Sequence, residues 1–314
     1  MKVAVLDLGT NVFNMLLASF SEEGCSYLKE YKCAAKLGAG GLAGGNISEV
    51  AFETATLAME KILKEIDMAG GADKIVPYAT SAVRDARNGT EFVGYMRDKF
   101  GVDIQVIPGE REAELIFKGI MGSLPQALCN NENILMLDIG GGSNEFIISD
   151  GAKILWKQSF PIGMARMREK FQYSDPISEE VIAEFEEYCS KVLEPLWVEV
   201  EKYRPTVFVG SSGSFETFKD LMYGCDAPKV PGMVFPADQL LELHRMLLKS
   251  TPQQRLAMPG MSPIRVDFIV LASVFTQMVL KRVPYRIIYQ SDYSLKEGGM
   301  TELYEEWKNG LNRQ

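Results

Sequence analysis

One pattern occurs twice in this chain, at the spacing of a whole domain. An apolar run ends in Asp7 and leads through a small polar turn into a second apolar run, and the same order recurs around Asp138. Asp7 and Asp138 are 131 residues apart, and so are Asn14 and Glu145, which follow the two turns. A short apolar run bounded by a tight turn predicts a buried strand. The chain is therefore predicted to contain two related strand–turn–strand units, each with an acid where its first strand ends.

The residues of the two turns are small, which suits phosphate binding. They are Gly9, Thr10 and Asn11 in the first turn, and Gly140, Gly141, Gly142 and Ser143 in the second. Glycine adopts positive φ and has no Cβ, so successive N–H groups can line one concavity that accepts phosphate oxygens. A hairpin would also bring Asp138 and Glu145 together, where two carboxylates can hold a hard cation. A glycine-rich hairpin with two exposed acids has the same pattern, but a chance hairpin need not keep the register of the first unit.

Composition sets the broad class. A chain of 314 residues, 46% of them hydrophobic, is long enough for two ordinary domains. The net charge of −9 disfavours nucleic acid as a partner, because binding it needs a basic face. Five scattered cysteines without a CxxC pair are typical of a reduced, cytoplasmic protein. Asp7 interrupts the first apolar run too early for a signal peptide, and no segment approaches the ~18 apolar residues of a membrane span.

Helices and strands are predicted to alternate through the rest of the chain, which indicates an α/β layered fold. Each half begins with a three-stranded meander, at residues 1–33 and at 134–139, 144–149 and 153–160. Further strands are predicted at 75–79, where Pro77 indicates an irregular or edge position, and at 104–107, 206–209 and 287–289. Helices are predicted at 88–100, 110–119, 178–202, 239–249, 266–281 and 293–307. The glycine-rich segment 36–46 is predicted to be a flexible connection. Gly298 and Gly299 inside the last helix predict close packing or a bend.

Five motifs in order give the chain a family resemblance that covers nearly its whole length. DLGTN at 7–11 and DIGGGSNE at 138–145 resemble the two phosphate turns of the actin-like ATPase superfamily, and of its exopolyphosphatase and guanosine pentaphosphate phosphohydrolase (Ppx/GppA) family in particular. ATSAVRDARN at 79–88 resembles that family's arginine-bearing strand exit. PGEREAELIFKGI at 108–120 resembles its catalytic glutamate helix, and GSSGS at 210–214 resembles a third small-residue loop. The resemblance implies two actin-like (ribonuclease H-like) domains with a cleft between them, domain I at 1–124 plus 299–314 and domain II at 125–298.

Several positions depart from the family pattern. Val12 stands where a serine is usual, and Glu114 stands where an arginine often follows the glutamate–alanine pair. MSPIRVD at 261–267 follows its family motif only loosely, keeping Arg265 and Asp267. These differences bear on the substrate more than on the fold. The chain also stops before the helical extension of larger members, so the short, two-domain form is expected.

The resemblance implies roles for particular residues in hydrolysis of a terminal phosphoanhydride bond. Glu112 matches the general base, and Asp7, Asp138 and Glu145 match ligands of Mg²⁺ or Mn²⁺. The implied phosphate-binding residues are Gly9, Thr10, Asn11, Arg84, Gly140, Gly141, Gly142, Ser143, Gly210, Ser211, Gly213 and Ser214. Arg265 and Lys36 are weaker candidates. From the residues alone, the acidic helix around Glu112 favours a solvated face for this residue, and Arg84 could form a surface ion pair with Asp85 or Asp103.

Three classes of function stay open. The leading hypothesis is a metal-dependent exopolyphosphatase acting on inorganic polyphosphate, with guanosine pentaphosphate as the alternative substrate. The second class is a nucleotide-dependent phosphotransferase like the acetate and sugar kinases. The third is a non-catalytic phosphate sensor, which retention of Glu112 argues against. The single histidine, His244, excludes a histidine-based triad or a multi-histidine metal site. No nucleic acid or membrane partner is expected, and a homodimer stays open.

Overall fold

The structure, a computed structural model, describes residues 1–41, 44–129, 132–224 and 230–311 and divides into two compact units. Unit 1 comprises Met1–Gly122 and Ser294–Gln314, and unit 2 comprises Ser123–Tyr293. Residues 294–298 thus belong to unit 1, whereas the sequence assigned them to domain II. They begin a helix of unit 1, in which the Ser294 N–H donates to Glu297 Oε2 at 2.9 Å. Cys225 and part of the predicted flexible connection, residues 42–43, lie outside the described residues.

Unit 1 is built on a five-stranded mixed sheet. Strands β1 (Lys2–Leu8), β2 (Val12–Ser21) and β3 (Gly24–Ala34) form an antiparallel meander, and β4 (Lys74–Ala79) and β5 (Gln105–Val106) continue the sheet in parallel. The order across the sheet is β3-β2-β1-β4-β5. Its helices are α1 (Glu49–Met68), α2 (Ser81–Arg84), α3 (Gly89–Phe100), α4 (Gly109–Ser123) and the last helix of the chain, at 295–311.

Local sequence explains two features of this unit. Ser48 caps α1 by accepting from the Ala51 N–H at 3.2 Å, and the helix buries an apolar face that includes Met59 and Ile62. Pro77 lies in β4, which is between β1 and β5 rather than at the edge. At Pro77 itself β4 pairs with Leu6 of β1 on one side only, because β5 pairs with just Tyr78 and Ala79, so Pro77 lies at a local edge of the sheet, where proline is tolerated.

Unit 2 contains a six-stranded mixed sheet of order β10-β11-β9-β6-β7-β8. Its strands are β6 (Ile134–Ile139), β7 (Asn144–Ser149), β8 (Ile154–Phe160), β9 (Val207–Ser211), β10 (Gly232–Phe235) and β11 (Ile287–Ser291). Its helices are α5 (Gln126–Cys129), α6 (Met164–Lys170), α7 (Glu179–Val192), α8 (Glu194–Tyr203), α9 (Ser212–Tyr223), α10 (Ala237–Leu248), α11 (Pro252–Leu256) and α12 (Ile269–Leu280). The sequence did not predict β10 or α6. Helix α12 is buried along almost its whole length, in the apolar core of the unit.

The single helix predicted at 178–202 is wrong. The chain forms α7 and α8 instead, which are separated at Leu193. Pro195 lies in the first turn of α8. Proline has no N–H and fits the start of a helix, where that donor has no intrahelical partner, but it interrupts a helix interior. The apolar residues of both segments follow one continuous helical periodicity, so the sequence pattern predicted a single helix.

The two sheets repeat one plan, which confirms the α/β fold with two actin-like domains. In each unit an antiparallel meander leads to parallel strands on the side of its first strand: β3-β2-β1-β4-β5 matches β8-β7-β6-β9-β11. The register repeats as well, because Asp7 pairs with Asn14 and Asp138 pairs with Glu145. Unit 2 adds β10 at its edge.

The final helix, α13 (Leu295–Leu311), confirms the close packing predicted at Gly298 and Gly299. A Cβ on Gly298 would lie 1.7 Å from the carbonyl oxygen of Leu115 in α4, and one on Gly299 would lie 2.9 Å from the ring of Tyr78. Helix α13 therefore contacts both α4 and the sheet of unit 1 through its own backbone. None of the described helices combines the length and apolar character needed to cross a membrane.

Candidate active site

In unit 1, the first glycine turn connects β1 to β2 beside Asp7. Asn14 Nδ2 donates to Asp7 Oδ2 at 2.9 Å across the two strands, in keeping with their paired register. A Cβ on Gly9 would lie 2.9 Å from the carbonyl oxygen of Val12, so the turn closes too tightly for a larger residue at that position. Thr10 is buried and Asn11 is half-buried. The structure thus brings Asp7 together with the turn that follows it.

Arg84 and Glu112 meet in the same unit. Arg84 ends α2, the short helix that follows β4, and Glu112 lies in the first turn of α4. Arg84 Nη1 donates to Glu112 Oε2 at 2.8 Å and to the carbonyl oxygen of Ile107 at 3.0 Å. Arg84 Nε is 3.5 Å from Asp85 Oδ1. Only 6% of Glu112 is exposed, so the solvated helix face is wrong for this glutamate. The sequence singled out both residues but did not predict that they pair.

In unit 2, Asp138 and Glu145 are buried and hydrogen-bonded to serines. The two acids are register partners on β6 and β7, and Asp138 also pairs with Ser211 of β9. Ser211 Oγ donates to Asp138 Oδ2 at 2.9 Å. The hydroxyls of Ser143 and Ser159 each donate to Glu145 Oε1 at 2.7 Å. Because Asp138 is 5% and Glu145 1% exposed, the interpretation as a hairpin with two exposed acids is wrong.

The second glycine turn is held by the start of α6. The carbonyl oxygens of Gly140, Gly141 and Gly142 accept from the N–H groups of Met164, Ala165 and Gly163 at 2.9, 2.9 and 3.2 Å. A Cβ on Gly163 would lie 2.4 Å from the carbonyl carbon of Gly141. In a trans peptide the N–H points away from the carbonyl oxygen. With the carbonyls directed at α6, the N–H groups that follow them face the other side of the turn. No motif marked Gly163, which precedes a helix that the sequence did not predict.

Packing and backbone geometry explain the small residues of the third loop. A Cβ on Gly210 would lie 2.1 Å from the ring of Phe215, so this glycine is required for packing on that ring. Ser214 is 2% exposed inside the first turn of α9. Ser212, between them, has a φ of 72°, a left-handed conformation that is uncommon for a residue with a Cβ. This backbone makes the sharp change of direction from β9 into α9.

Arg265 lies against the third loop, although the sequence ranked it as a weak candidate. A Cβ on Gly213 would lie 1.7 Å from Arg265 Nη2, so the guanidinium packs directly on the backbone of Gly213. Burial lowers the pKa of Arg265, while the negative charges of Glu216 and Asp138 raise it. The structure therefore places a cation within the electrostatic range of Asp138. The motif at 261–267 contains Arg265, but it matches the family pattern only loosely, so the sequence gave this residue a low rank among the candidates.

The oxygen donors in unit 2 fit a hard cation. Mg²⁺ prefers carboxylate and hydroxyl oxygens and retains several of its waters, so few protein ligands are needed. Asp138 and Glu145 supply two buried carboxylates on neighbouring strands. Across the described residues, no group of three or more His, Cys, Asp or Glu side chains is arranged to hold a metal ion.

Comparison with known proteins identifies the class and then the family. The duplicated sheets, each with an acid-tipped glycine turn, define an α/β protein of the actin-like fold class. The family model described as "Ppx/GppA phosphatase family" matches residues 17–306. The chain is 33% identical to an exopolyphosphatase from Cytophaga hutchinsonii of known structure, which superposes with a TM-score of 0.92 over 98% of both chains. The chain belongs to the Ppx/GppA phosphatase family.

Two curated relatives show how far the similarity extends. Exopolyphosphatase 2 of Mycobacterium tuberculosis is 29% identical over 281 residues, which cover 85% of this chain and 86% of that protein. The bifunctional 3-dehydroquinate synthase/phosphatase of Fusobacterium nucleatum is 28% identical over 291 residues. That match covers 88% of this chain but only 43% of the bifunctional protein.

Proposed function

We propose that this protein is a metal-dependent phosphohydrolase that releases terminal orthophosphate from inorganic polyphosphate. Membership of the Ppx/GppA phosphatase family supports the reaction class. The name exopolyphosphatase, carried by the similar proteins of C. hutchinsonii and M. tuberculosis, supports polyphosphate as the substrate. Guanosine pentaphosphate is the alternative, and no contact among the described residues favours it.

The observation that carries the proposal is the oriented, buried carboxylate of Glu112. A carboxylate held in a fixed direction is positioned to take a proton from a neighbouring water. Glu112 is 6% exposed, and one of its oxygens accepts from Arg84 at 2.8 Å. In the proposed step, a water oxygen attacks the terminal phosphorus while Glu112 takes the water's proton. The bridging P–O bond breaks, and the products are orthophosphate and a chain shorter by one phosphate.

Arg84 serves two purposes in this proposal. A guanidinium has five N–H donors in a planar fork, so one side chain can hold Glu112 and also bind a phosphate oxygen. Its permanent positive charge offsets the charge that spreads over the phosphoryl oxygens during transfer. Arg84 is thus assigned both to orient the base and to bind the group that is transferred.

The acids of the turns are assigned to the metal. Asp138 and Glu145 would hold Mg²⁺ or Mn²⁺, and Asp7 stays a predicted ligand. When bound, the metal neutralises phosphate charge and polarises the phosphoryl oxygens. The N–H groups of the two glycine turns would bind phosphate oxygens that the side chains do not reach. Ser143 and Ser211 hold the acids through their hydroxyls, so their assigned role shifts from binding phosphate to orienting the ligands of the metal.

Parallel assays of phosphate release test the proposal. The purified protein is incubated with Mg²⁺ and either polyphosphate or guanosine pentaphosphate, and orthophosphate is measured over time, with EDTA as the metal-free control. The proposal predicts release from polyphosphate that EDTA abolishes. Much faster release from guanosine pentaphosphate would overturn the substrate assignment. Absence of release from both, with nucleotide-dependent transfer to acetate or a sugar, would favour the kinase-like alternative.

A further inference from the structure

We propose that Lys36 is a substrate-binding residue, whose ammonium group contacts the anionic phosphate chain beside the first glycine turn. The inference deepens the proposed function and rests on it. It starts from the backbone of Lys36, which the sequence placed at the start of a flexible connection. The residue has no assigned role in the mechanism above.

Lys36 adopts a left-handed backbone conformation, with a φ of 48°. Residues with a Cβ avoid this region because the Cβ approaches the following carbonyl oxygen, and glycine is the residue that relieves the clash. Among the described residues, Lys36 shares positive φ with two other non-glycine residues, Arg204 and Ser212. Arg204 ends α8, where a left-handed residue is common. Ser212 lies in the third small-residue loop. Lys36 has no comparable helix end to account for its conformation.

Backbone hydrogen bonds fix Lys36 against the first turn. The N–H groups of Ala35 and Lys36 both donate to the carbonyl oxygen of Asn11, at 2.9 and 3.0 Å. Two residues further on, the Gly38 N–H donates to the carbonyl oxygen of Thr10 at 3.0 Å. Ala35 and Leu37 on either side are buried in the core of unit 1. The prediction of a flexible connection is therefore wrong for residues 36–38, which are held on the turn.

The side chain held in this way is exposed and lacks an acidic partner. Across residues 1–41, 44–129, 132–224 and 230–311, no carboxylate forms an ion pair with Lys36. The chain as a whole has nine more acidic than basic side chains. A lysine has a flexible four-carbon stem that carries a compact charge, so the ammonium can reach across the turn to which its own backbone is bonded. An anionic ligand at that turn would meet this charge.

Backbone strain that persists at a site is a reason to look for a function of the side chain. Glycine would fit the conformation of Lys36 without strain, yet the chain keeps a lysine there. The left-handed conformation sets the direction in which this side chain leaves a backbone that is itself hydrogen-bonded to Asn11. We assign the ammonium to ground-state binding of the phosphate chain, because the backbone of Lys36 is bonded to the first glycine turn, whereas the Arg84–Glu112 pair joins α2 to α4. Its removal should then raise KM and leave kcat nearly unchanged.

Two substitutions separate a binding role from a structural one. Lys36→Gly removes the charge and relieves the backbone strain, whereas Lys36→Met removes the charge and keeps the strain. Lys64→Met, at an exposed lysine of α1, is the matched control. Kinetics on polyphosphate and thermal unfolding are measured for all four proteins, and binding of tripolyphosphate is measured by calorimetry. A charge-assisted hydrogen bond to a ligand corresponds to a change of about 10-fold.

The binding role predicts that KM for polyphosphate rises about 10-fold in both Lys36 variants, with kcat within about twofold of wild type. Lys36→Gly should nevertheless unfold at a higher temperature than Lys36→Met, while Lys64→Met matches wild type in KM. Unchanged KM in both Lys36 variants would overturn the inference, whatever happens to their stability.

Should wild type release no phosphate from polyphosphate, the proposed function fails separately. The inference is then decided by tripolyphosphate, whose affinity must be weaker in both Lys36 variants. Equal affinity, or no binding by wild type, overturns it.

Discussion

Arg84 Nη1 donates at once to the carboxylate of Glu112 and to the carbonyl oxygen of Ile107. One guanidinium nitrogen thereby ties the end of α2 to the segment that leads into α4. The Glu112 N–H in turn donates to the carbonyl oxygen of Pro108 at 3.0 Å, so both the backbone and the side chain of the proposed base are fixed. A carboxylate oriented in this way loses little conformational freedom when it accepts a proton from water, which is what a base positioned before the reaction requires.

Substitution of Arg84 should impair both stability and activity. Arg84→Met removes the guanidinium that donates to the buried carboxylate of Glu112, and we expect destabilisation by about 1–3 kcal/mol, since a buried charged acceptor that loses a donor is costly. Removal of a charge-assisted contact should also lower kcat/KM by about 10–100-fold. Arg84→Lys should recover part of the loss, because it keeps the charge without the planar fork. Chemical denaturation and steady-state kinetics are the measurements, with Arg97→Met, on the exposed face of α3, as control. Wild-type kinetics in Arg84→Met would remove this residue from the site.

Substitution of the turn acids should weaken activation by metal. Asp138→Asn, Glu145→Gln and Asp7→Asn each remove one charge from the proposed cation site while keeping the size of the side chain. We expect each activation curve to shift to higher Mg²⁺ concentration in a titration of rate against the metal. Glu184→Gln, at an exposed acid of α7, controls for loss of charge in general. Three activation curves that coincide with wild type would show that these acids do not hold the metal.

Helix α13 is predicted to hold α4 in position through Gly298. An added Cβ at Gly298 would lie 1.7 Å from the carbonyl oxygen of Leu115 and 2.9 Å from the backbone nitrogen of Gly119, both in α4. Gly298→Ala should therefore destabilise the protein by about 1–3 kcal/mol, as overpacking does, and reduce activity because α4 carries Glu112. Gly310→Ala in the same helix meets nothing within 4 Å and should stabilise the protein by up to about 1 kcal/mol. Thermal unfolding compares the two variants. Equal stability would contradict the packing argument.

The product ladder from long polyphosphate should show distributive cleavage. A long polyanion needs an extended basic track to stay bound, for the same reason that nucleic acid does. This chain has a net charge of −9, and the cations assigned to its sites are few: Arg84, Lys36 and Arg265. Gel electrophoresis at limited turnover should show gradual shortening of the whole population. Coexistence of full-length chains with only fully degraded products would show processive cleavage and contradict the charge argument.

The sequence predicted what local patterning determines and missed what tertiary packing determines. The paired register of Asp7 with Asn14 and of Asp138 with Glu145 follows from apolar runs around a turn, and both pairs occur as expected. The Arg84–Glu112 pair joins residues 28 positions apart, and no periodicity encodes such a contact.

Small residues were the hardest to interpret. Gly210 resembled a phosphate-binding glycine, yet its missing Cβ is required by the ring of Phe215. Gly163 carried no motif, yet it packs directly on Gly141. A glycine is selected by whatever lies closest to its Cα, and that neighbour is known only after the chain has folded.

Glu112 is the proposed base of the phosphohydrolase, and a matched pair of variants measures its contribution to the reaction. Glu112→Gln keeps the size of the side chain and a hydrogen-bond acceptor for Arg84, but it cannot take a proton at neutral pH. Glu110→Gln makes the same change at an exposed residue two positions away in the same helix. The measurement is orthophosphate release from polyphosphate with saturating Mg²⁺, after circular dichroism has shown that all three proteins are folded. We expect Glu112→Gln to slow release by about 10²–10⁴-fold while Glu110→Gln retains wild-type turnover. Wild-type turnover in the folded Glu112→Gln variant would contradict this assignment.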